Sequence, residues 1–356
     1  MKAPTLLVTA ILTLGALVAP PVACEGRAHA TAPASAPSVL WYDDFSGGFD
    51  HSGPGAPWLV PGFEGLPEGD GRATTSERGL RVVASGTHPR TGRPAFVHTV
   101  PQEDDSGTGV PGTADHGKWA ALANHTASSG HLGFDAPAGT ELTCATRMSG
   151  RSHGVQGHPF GDAVHRPGAD PRLATAAMIM VDQETGTAFD FLVTDTAVHA
   201  YYERLPVPGN GAFAYAVPVA AGFPGQTRDL AISYDRSAGE VRWRVNGRTV
   251  LRVGGIGQRS LDSRFKFIDN GGPGQDVAPR QLACGLGLLT LLDGAGADGK
   301  ALVRLSSAPD HYFDVRRGEP VPQRFVDDES LPGSRLWGQG AELRAEKLEV
   351  TSRPAG

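Results

Sequence analysis

The stretch from Asp229 to Val253, DLAISYDRSAGEVRWRVNGRTVLRV, restricts the fold of this chain more than any other. Leu230, Ile232 and Tyr234 alternate with Ala231 and Ser233. Successive side chains of a strand point to opposite faces, so this spacing predicts a strand with one buried face. Asp235 to Gly239 supplies a turn. Val241, Trp243 and Val245 then alternate with Arg242 and Arg244. Asn246-Gly247 follows, the dipeptide that suits a two-residue hairpin. Both central residues of a type I′ turn need positive φ, which Gly adopts freely and Asn tolerates. Thr249 to Val253 is the return strand. The stretch reads as a three-stranded antiparallel meander.

The same grammar runs through the rest of the chain. Strands are expected at Gly79–Ser85, Ala95–Val100, Glu141–Met148, Leu173–Asp182, Thr187–Val193, Val198–Leu205, Phe213–Val219, Phe265–Ile268, Gln281–Leu292, Ala301–Leu305 and within Arg335–Val350. Short polar turns separate them, in a chain with 48 Gly and 28 Pro. Connections this short cannot carry helical crossovers, so the sheets should be antiparallel. One helix is expected, Asp115 to His125, with Asp115 as its N-cap. Ser149 to Pro171 reads as a long loop. No period recurs, which disfavours a propeller or solenoid. The fold class is therefore all-β, an antiparallel β-sandwich, with residues 39–351 as a single domain and 352–356 as a tail.

The N-terminus reads as an export signal spanning residues 1–30. Lys2 precedes the apolar run Leu6–Val18, and Ala28-His29-Ala30 has the small-x-small pattern of a cleavage site. Val22-Ala23-Cys24 offers a lipoprotein alternative, disfavoured by Pro21. Residues 31–38 then form a flexible leader. The expected location is secreted or cell-surface, without a membrane span. A formal net charge of −6 gives no electrostatic case for nucleic acid. Arg outnumbers Lys as in many high-GC bacteria. Of the three Cys, Cys144 and Cys284 lie in strand-like runs. In an exported chain they suggest a disulfide, with two buried thiols as the alternative.

Beyond these patterns, the run Arg242-Trp243-Arg244-Val245-Asn246-Gly247 resembles the meander of concanavalin A-like jelly rolls, the superfamily of laminarinase- and agarase-type glucanases. Leu40 to Gly48, with Asp43-Asp44-Phe45-Ser46-Gly47-Gly48, resembles the opening strand of such modules, with Trp58 trailing. Arg335 to Val350 resembles their closing strand, which pairs beside the first. The resemblance implies a jelly roll and allows one test of activity. Glucanases of this kind carry E-x-D-x-x-E on a strand of the concave sheet, where one carboxylate attacks the sugar and the other protonates the leaving oxygen. Here the matching stretch is Ala188-Phe189-Asp190-Phe191-Leu192-Val193. Asp190 keeps the middle position, but Ala188 and Val193 occupy the two catalytic ones. An alkyl group neither attacks nor donates a proton, so retaining hydrolysis is not expected.

What remains there is polar. Asp190 should face away from Phe189 and Phe191, and His199, Tyr201 and Glu203 should share a face of the next strand. These four are the candidate ligand-binding residues, in the concave groove or, alternatively, on a plain solvated face. Three functions follow: recognition of a carbohydrate or small molecule without retaining-glycosidase activity; a lyase- or isomerase-type enzyme using this His/Tyr/Asp/Glu cluster for proton transfer; or a structural envelope protein. No cofactor is called for. His153, His158 and His165 with Asp162 and Asp170 match no strong zinc spacing. Asp43, Asp44 and the run Asp327-Asp328-Glu329 have the hard oxygen ligands that a structural calcium ion prefers.

Overall fold

The computed structural model describes residues 36–62, 68–100, 102, 113–206 and 211–355. The expected export signal, Cys24 and most of the expected leader lie outside them. The described residues build two antiparallel sheets packed face to face, a jelly-roll β-sandwich. The meander is present as Arg228–Asp235, Glu240–Val245 and Arg248–Gly254. Its Asn246 and Gly247 take φ of 49° and 76°, as a type I′ turn demands. These strands form one edge of an eight-stranded sheet. Thr140–His153 follows, then Gly340–Pro354, Gly79–Ala84 and Gly71–Ser76. Ser38–Asp43 also pairs with Gly340–Pro354, so the first and last described strands are adjacent as expected.

The second sheet has nine strands. In order they are Lys266–Asp269, Phe213–Ala221, Ala197–Arg204, Thr187–Val193, Thr175–Asp182, Gln281–Leu289, Gly117–Ala123 and Trp58–Leu59. Phe134–Asp135 adds to Gln281–Leu289. The inner faces interdigitate as the period-2 pattern requires. Leu230, Ile232, Tyr234, Val241 and Trp243 from one sheet meet Met178, Phe189, Phe191, Tyr202 and Leu286 from the other in one continuous core. The Trp243 indole N–H donates to the Asp190 carbonyl at 2.9 Å, a hydrogen bond that crosses between the sheets. On the outer side of the eight-stranded sheet, Glu141 gathers Arg242 at 2.7 Å and Arg353 at 2.6 Å.

Several expectations are corrected. Asp115–His125 is not a helix. A 3-10 turn, Thr113–His116, leads into the strand Gly117–Ala123. Asp115 is no N-cap: its carboxylate accepts the Val100 N–H at 3.1 Å and the Lys118 ammonium at 2.6 Å. Ala95–Val100 is a strand only over Pro94–Ala95. Beyond it the N–H groups of Val97 and His98 donate to the Asp70 carboxylate at 2.7 and 2.8 Å, so no ladder is needed to satisfy them. The loop expected from Ser149 is strand as far as His153 and then three short 3-10 turns, Val155–Gly157, Gly161–Ala163 and Pro167–Ala169.

The disulfide between Cys144 and Cys284 is not formed. Both are free, fully buried thiols contributed by facing strands of the two sheets. They are hydrogen-bonding neighbours, and burial followed by that contact pushes the Cys284 thiol up, as befits two small hydrophobes in a core. Among the described residues no helix is long and apolar enough to cross a membrane.

Candidate functional site

The candidate residues lie on Thr187–Val193 and Ala197–Arg204, joined by a turn in which Thr194 and Ala197 bond each other. In the register of this pair Ala188 faces Glu203, Asp190 faces Tyr201 and Leu192 faces His199. Directly opposed residues project to the same side, so all four candidates share the sheet face turned away from the core. The sequence placed them together correctly. Val193, by contrast, points into the inter-sheet core. The position that would need an acid/base carboxylate is thus both alkyl and turned inward.

The shared face is neither an open groove nor a solvated surface over most of its area. Leu291, Tyr312 and the half-buried Phe325 lie over it and pack with Leu192 and Tyr201. Asp190 is 6% exposed and Tyr201 2%. The Met180 N–H donates to Asp190 Oδ1 at 3.2 Å. Burial, and then the Glu203 charge, raise the Asp190 pKa well above the usual carboxylate range. The Tyr201 hydroxyl is buried beside the Glu203 carboxyl. Burial and the acids around it push its pKa up as well. Glu203 keeps some exposed surface, yet burial of its carboxyl lifts its pKa to about 7, with His116 opposing the shift.

Three members of this cluster carried no signal in the sequence. His116 Nε2 lies 2.7 Å from Asp293 Oδ1, and the Tyr312 hydroxyl donates to Asp293 Oδ2 at 2.7 Å. Burial works against the His116 imidazolium, but the Asp293 carboxylate outweighs it and raises the pKa. Burial would likewise raise Asp293, and the His116 charge holds it down. These residues come from segments remote in sequence, brought together only by the strand order and the layer above it.

The open part of this face lies at one end, and His199 alone of the four candidates reaches it. A pocket of about 870 Å³ is bounded by the segment Ala163–Arg172, the ends of the two strands around His199 and Ala216, Arg264–Phe267, and Ala295–Asp298. Its floor is apolar, with Ala216, Pro218, Val219 and Phe265. Arg166, Arg172, Arg264, Lys266 and Arg316 supply five cations against the carboxylates of Asp170 and Asp298. Burial lowers the His199 pKa to about 4, so the ring is neutral at neutral pH, and its Nδ1 is buried without a partner.

The metal candidates do not converge. His153 lies 3.7 Å from Glu342, His158 accepts the Phe160 N–H, and exposed His165 stands at the pocket rim. Asp43 accepts from the Phe45 N–H and the Trp58 indole, and Asp327 from the N–H groups of Glu329, Ser330 and Leu331. Among the described residues no three His, Cys, Asp or Glu side chains are grouped for a metal.

The sequence profile of DUF6081, a family of unknown function, matches residues 42–354. The chain belongs to that family. This DUF6081 chain is 27% identical over 183 residues to the uncharacterized protein L829 of Acanthamoeba polyphaga mimivirus, covering 35% of this chain and 42% of that protein. It therefore spans less than half the length of that relative. Among solved structures, an endo-1,3-β-glucanase from Streptomyces sioyaensis is similar with a TM-score of 0.43 and 14% identity, covering 92% of this chain and all of that one. An alginate lyase of polysaccharide lyase family 7, A1-II′, gives 0.40 and 10%, covering 84% and 95%. An endo-β-1,3-glucanase from Pyrococcus furiosus gives 0.40 and 11%, covering 90% and 96%. Likeness at this level says nothing of activity in the DUF6081 chain.

Proposed function

We propose that this protein is an exported or cell-surface recognition module that holds a carbohydrate or other small molecule in the pocket beside His199, without retaining-glycosidase chemistry. The observation that carries this reading is the pocket itself. It is a preformed concavity of about 870 Å³ with an apolar floor and a polar rim, the build expected of a small-ligand site. The missing carboxylates support the second half. A retaining enzyme needs two of them about 5 Å apart across the scissile bond, and Ala188 and Val193 offer neither.

The lyase or isomerase reading requires Asp190, His199, Tyr201 and Glu203 to meet one substrate. Only His199 lines the pocket, while Asp190 and Tyr201 are sealed under the covering layer. Binding is therefore the better supported role. The test is a glycan array with the purified chain, followed by chromatography of whatever is bound. Retention without turnover supports a binding module. Unsaturated or rearranged product supports the enzyme, and a blank array with no product favours the structural envelope role.

A further inference from the structure

The pocket beside His199 has a charge pattern that narrows its ligand. Lys266 is tied to Asp269 at 2.8 Å, Arg172 to Asp170 at 2.6 Å and Arg264 to Asp262 at 3.4 Å. The Arg166 side chain makes no hydrogen bond or ion pair with any described residue and is exposed at the rim. Arg316 also has no carboxylate partner among the described residues. Its guanidinium donates to the backbone carbonyls of Ser263, Lys266, Arg264 and Gly296 through both terminal nitrogens, which fixes it in place and leaves its charge, but not its terminal N–H groups, to a ligand. One opposing group stands nearby: Asp298 is exposed and accepts the Lys300 N–H. Two unpaired guanidiniums thus border a floor made of Pro218, Val219 and Phe265. Buried His199 adds a neutral ring whose Nδ1 lacks a partner.

We infer that the pocket takes an acidic saccharide, one whose rings carry carboxylates. This rests on the binding role proposed above and specifies its ligand. The guanidinium fork of Arg166 matches a carboxylate in two parallel hydrogen bonds, charge-assisted and stronger than neutral ones, and Arg316 adds its positive charge. The apolar floor suits the C–H face of a sugar ring. A neutral saccharide would leave both arginines without the anion that their placement favours.

The test is isothermal titration calorimetry of the whole chain with trigalacturonate and trimannuronate, against galactotriose, mannotriose and citrate. One of the two acidic trisaccharides is expected to bind at least tenfold tighter than its neutral counterpart, and to weaken as salt rises from 50 to 500 mM, by about tenfold. Arg166→Glu should cost at least tenfold in affinity without changing the melting temperature, because the Arg166 side chain bonds nothing in the fold. Arg316→Gln, which keeps a donor for the backbone carbonyls, should lose a similar amount. Neutral trisaccharides binding as tightly as acidic ones would overturn the inference and leave the carbohydrate role standing. Citrate binding as tightly as the trisaccharides would show a site that reads charge alone, overturning both. Absence of binding to every probe would also overturn both.

Discussion

At the scale of single residues, burial decides what the polar face can do. The ordinary pKa of a glutamate is near 4.5, and that of Glu203 is pushed up to about 7. Over that interval the folded chain keeps a proton that the unfolded chain has lost. Stability from this group is therefore full below about pH 4.5 and falls as pH rises through 7. At about 1.4 kcal/mol per unit, the cost of ionising it in place is roughly 3 kcal/mol. Glu203→Gln removes that cost, so the variant should melt several degrees above the parent at pH 8 and close to it at pH 4, as thermal denaturation across pH will show. A Glu203→Gln curve with the same pH slope as the parent would mean that the carboxyl is freely hydrated. His199 is the complementary case. It faces the pocket, and His199→Ala should weaken saccharide binding by about tenfold in calorimetry through loss of a polar contact. The shared face of the four candidates was legible because parity along a strand is a local property. Their depth was not, because it depends on Leu291, Asp293 and Tyr312, more than 85 residues further along the chain.

At the scale of elements, short-range chemistry was read well and two-sided burial was not. Asn246-Gly247 specified its hairpin outright. Gly247→Ala meets no neighbouring atom, so its expected cost of about 1 kcal/mol comes from placing a Cβ at positive φ alone. Gly117–Ala123 was misread as helix because its Lys-Trp-Ala-Ala-Leu-Ala run is rich in good helix formers and both its faces are buried. Lys118, the one charged residue on its outer face, is hidden beneath the chain around His98 and bonded to Asp115. Partners override propensity here: the strand pairs with Gln281–Leu289, where Gly285 and Gly287 let the two backbones lie close. A Cβ at Gly285 would run into the Ala121 carbonyl. Gly285→Ala should therefore destabilise by about 2–3 kcal/mol, more than Gly247→Ala, when the two are compared by urea unfolding. Equal costs would mean that the strand pair gives way easily.

At the scale of the whole molecule, the sandwich was visible in the spacing of strands and turns, since each strand carries its own period and each turn its own residues. The pocket was invisible, because Arg166, Arg264 and Arg316 belong to three segments that only the covering layer brings to one mouth. Purified protein should release no reducing ends from laminarin, agarose or xylan. Release abolished by Asp190→Ala would show that the strand from Thr187 to Val193 had been wrongly matched to the glucanase motif. One further consequence comes from the strand Gly340–Pro354, which holds Thr140–His153 along one side and Gly79–Ala84 and Ser38–Asp43 along the other. It is the last of the described strands to leave the ribosome. Until it emerges, the nascent chain carries three strands whose common neighbour does not yet exist, with open edges that invite other chains. Folding of this sheet must wait until that strand has emerged, and a chain stopped at Gln339 should remain protease-sensitive and collect as aggregate, whereas one stopped after Pro354 should not.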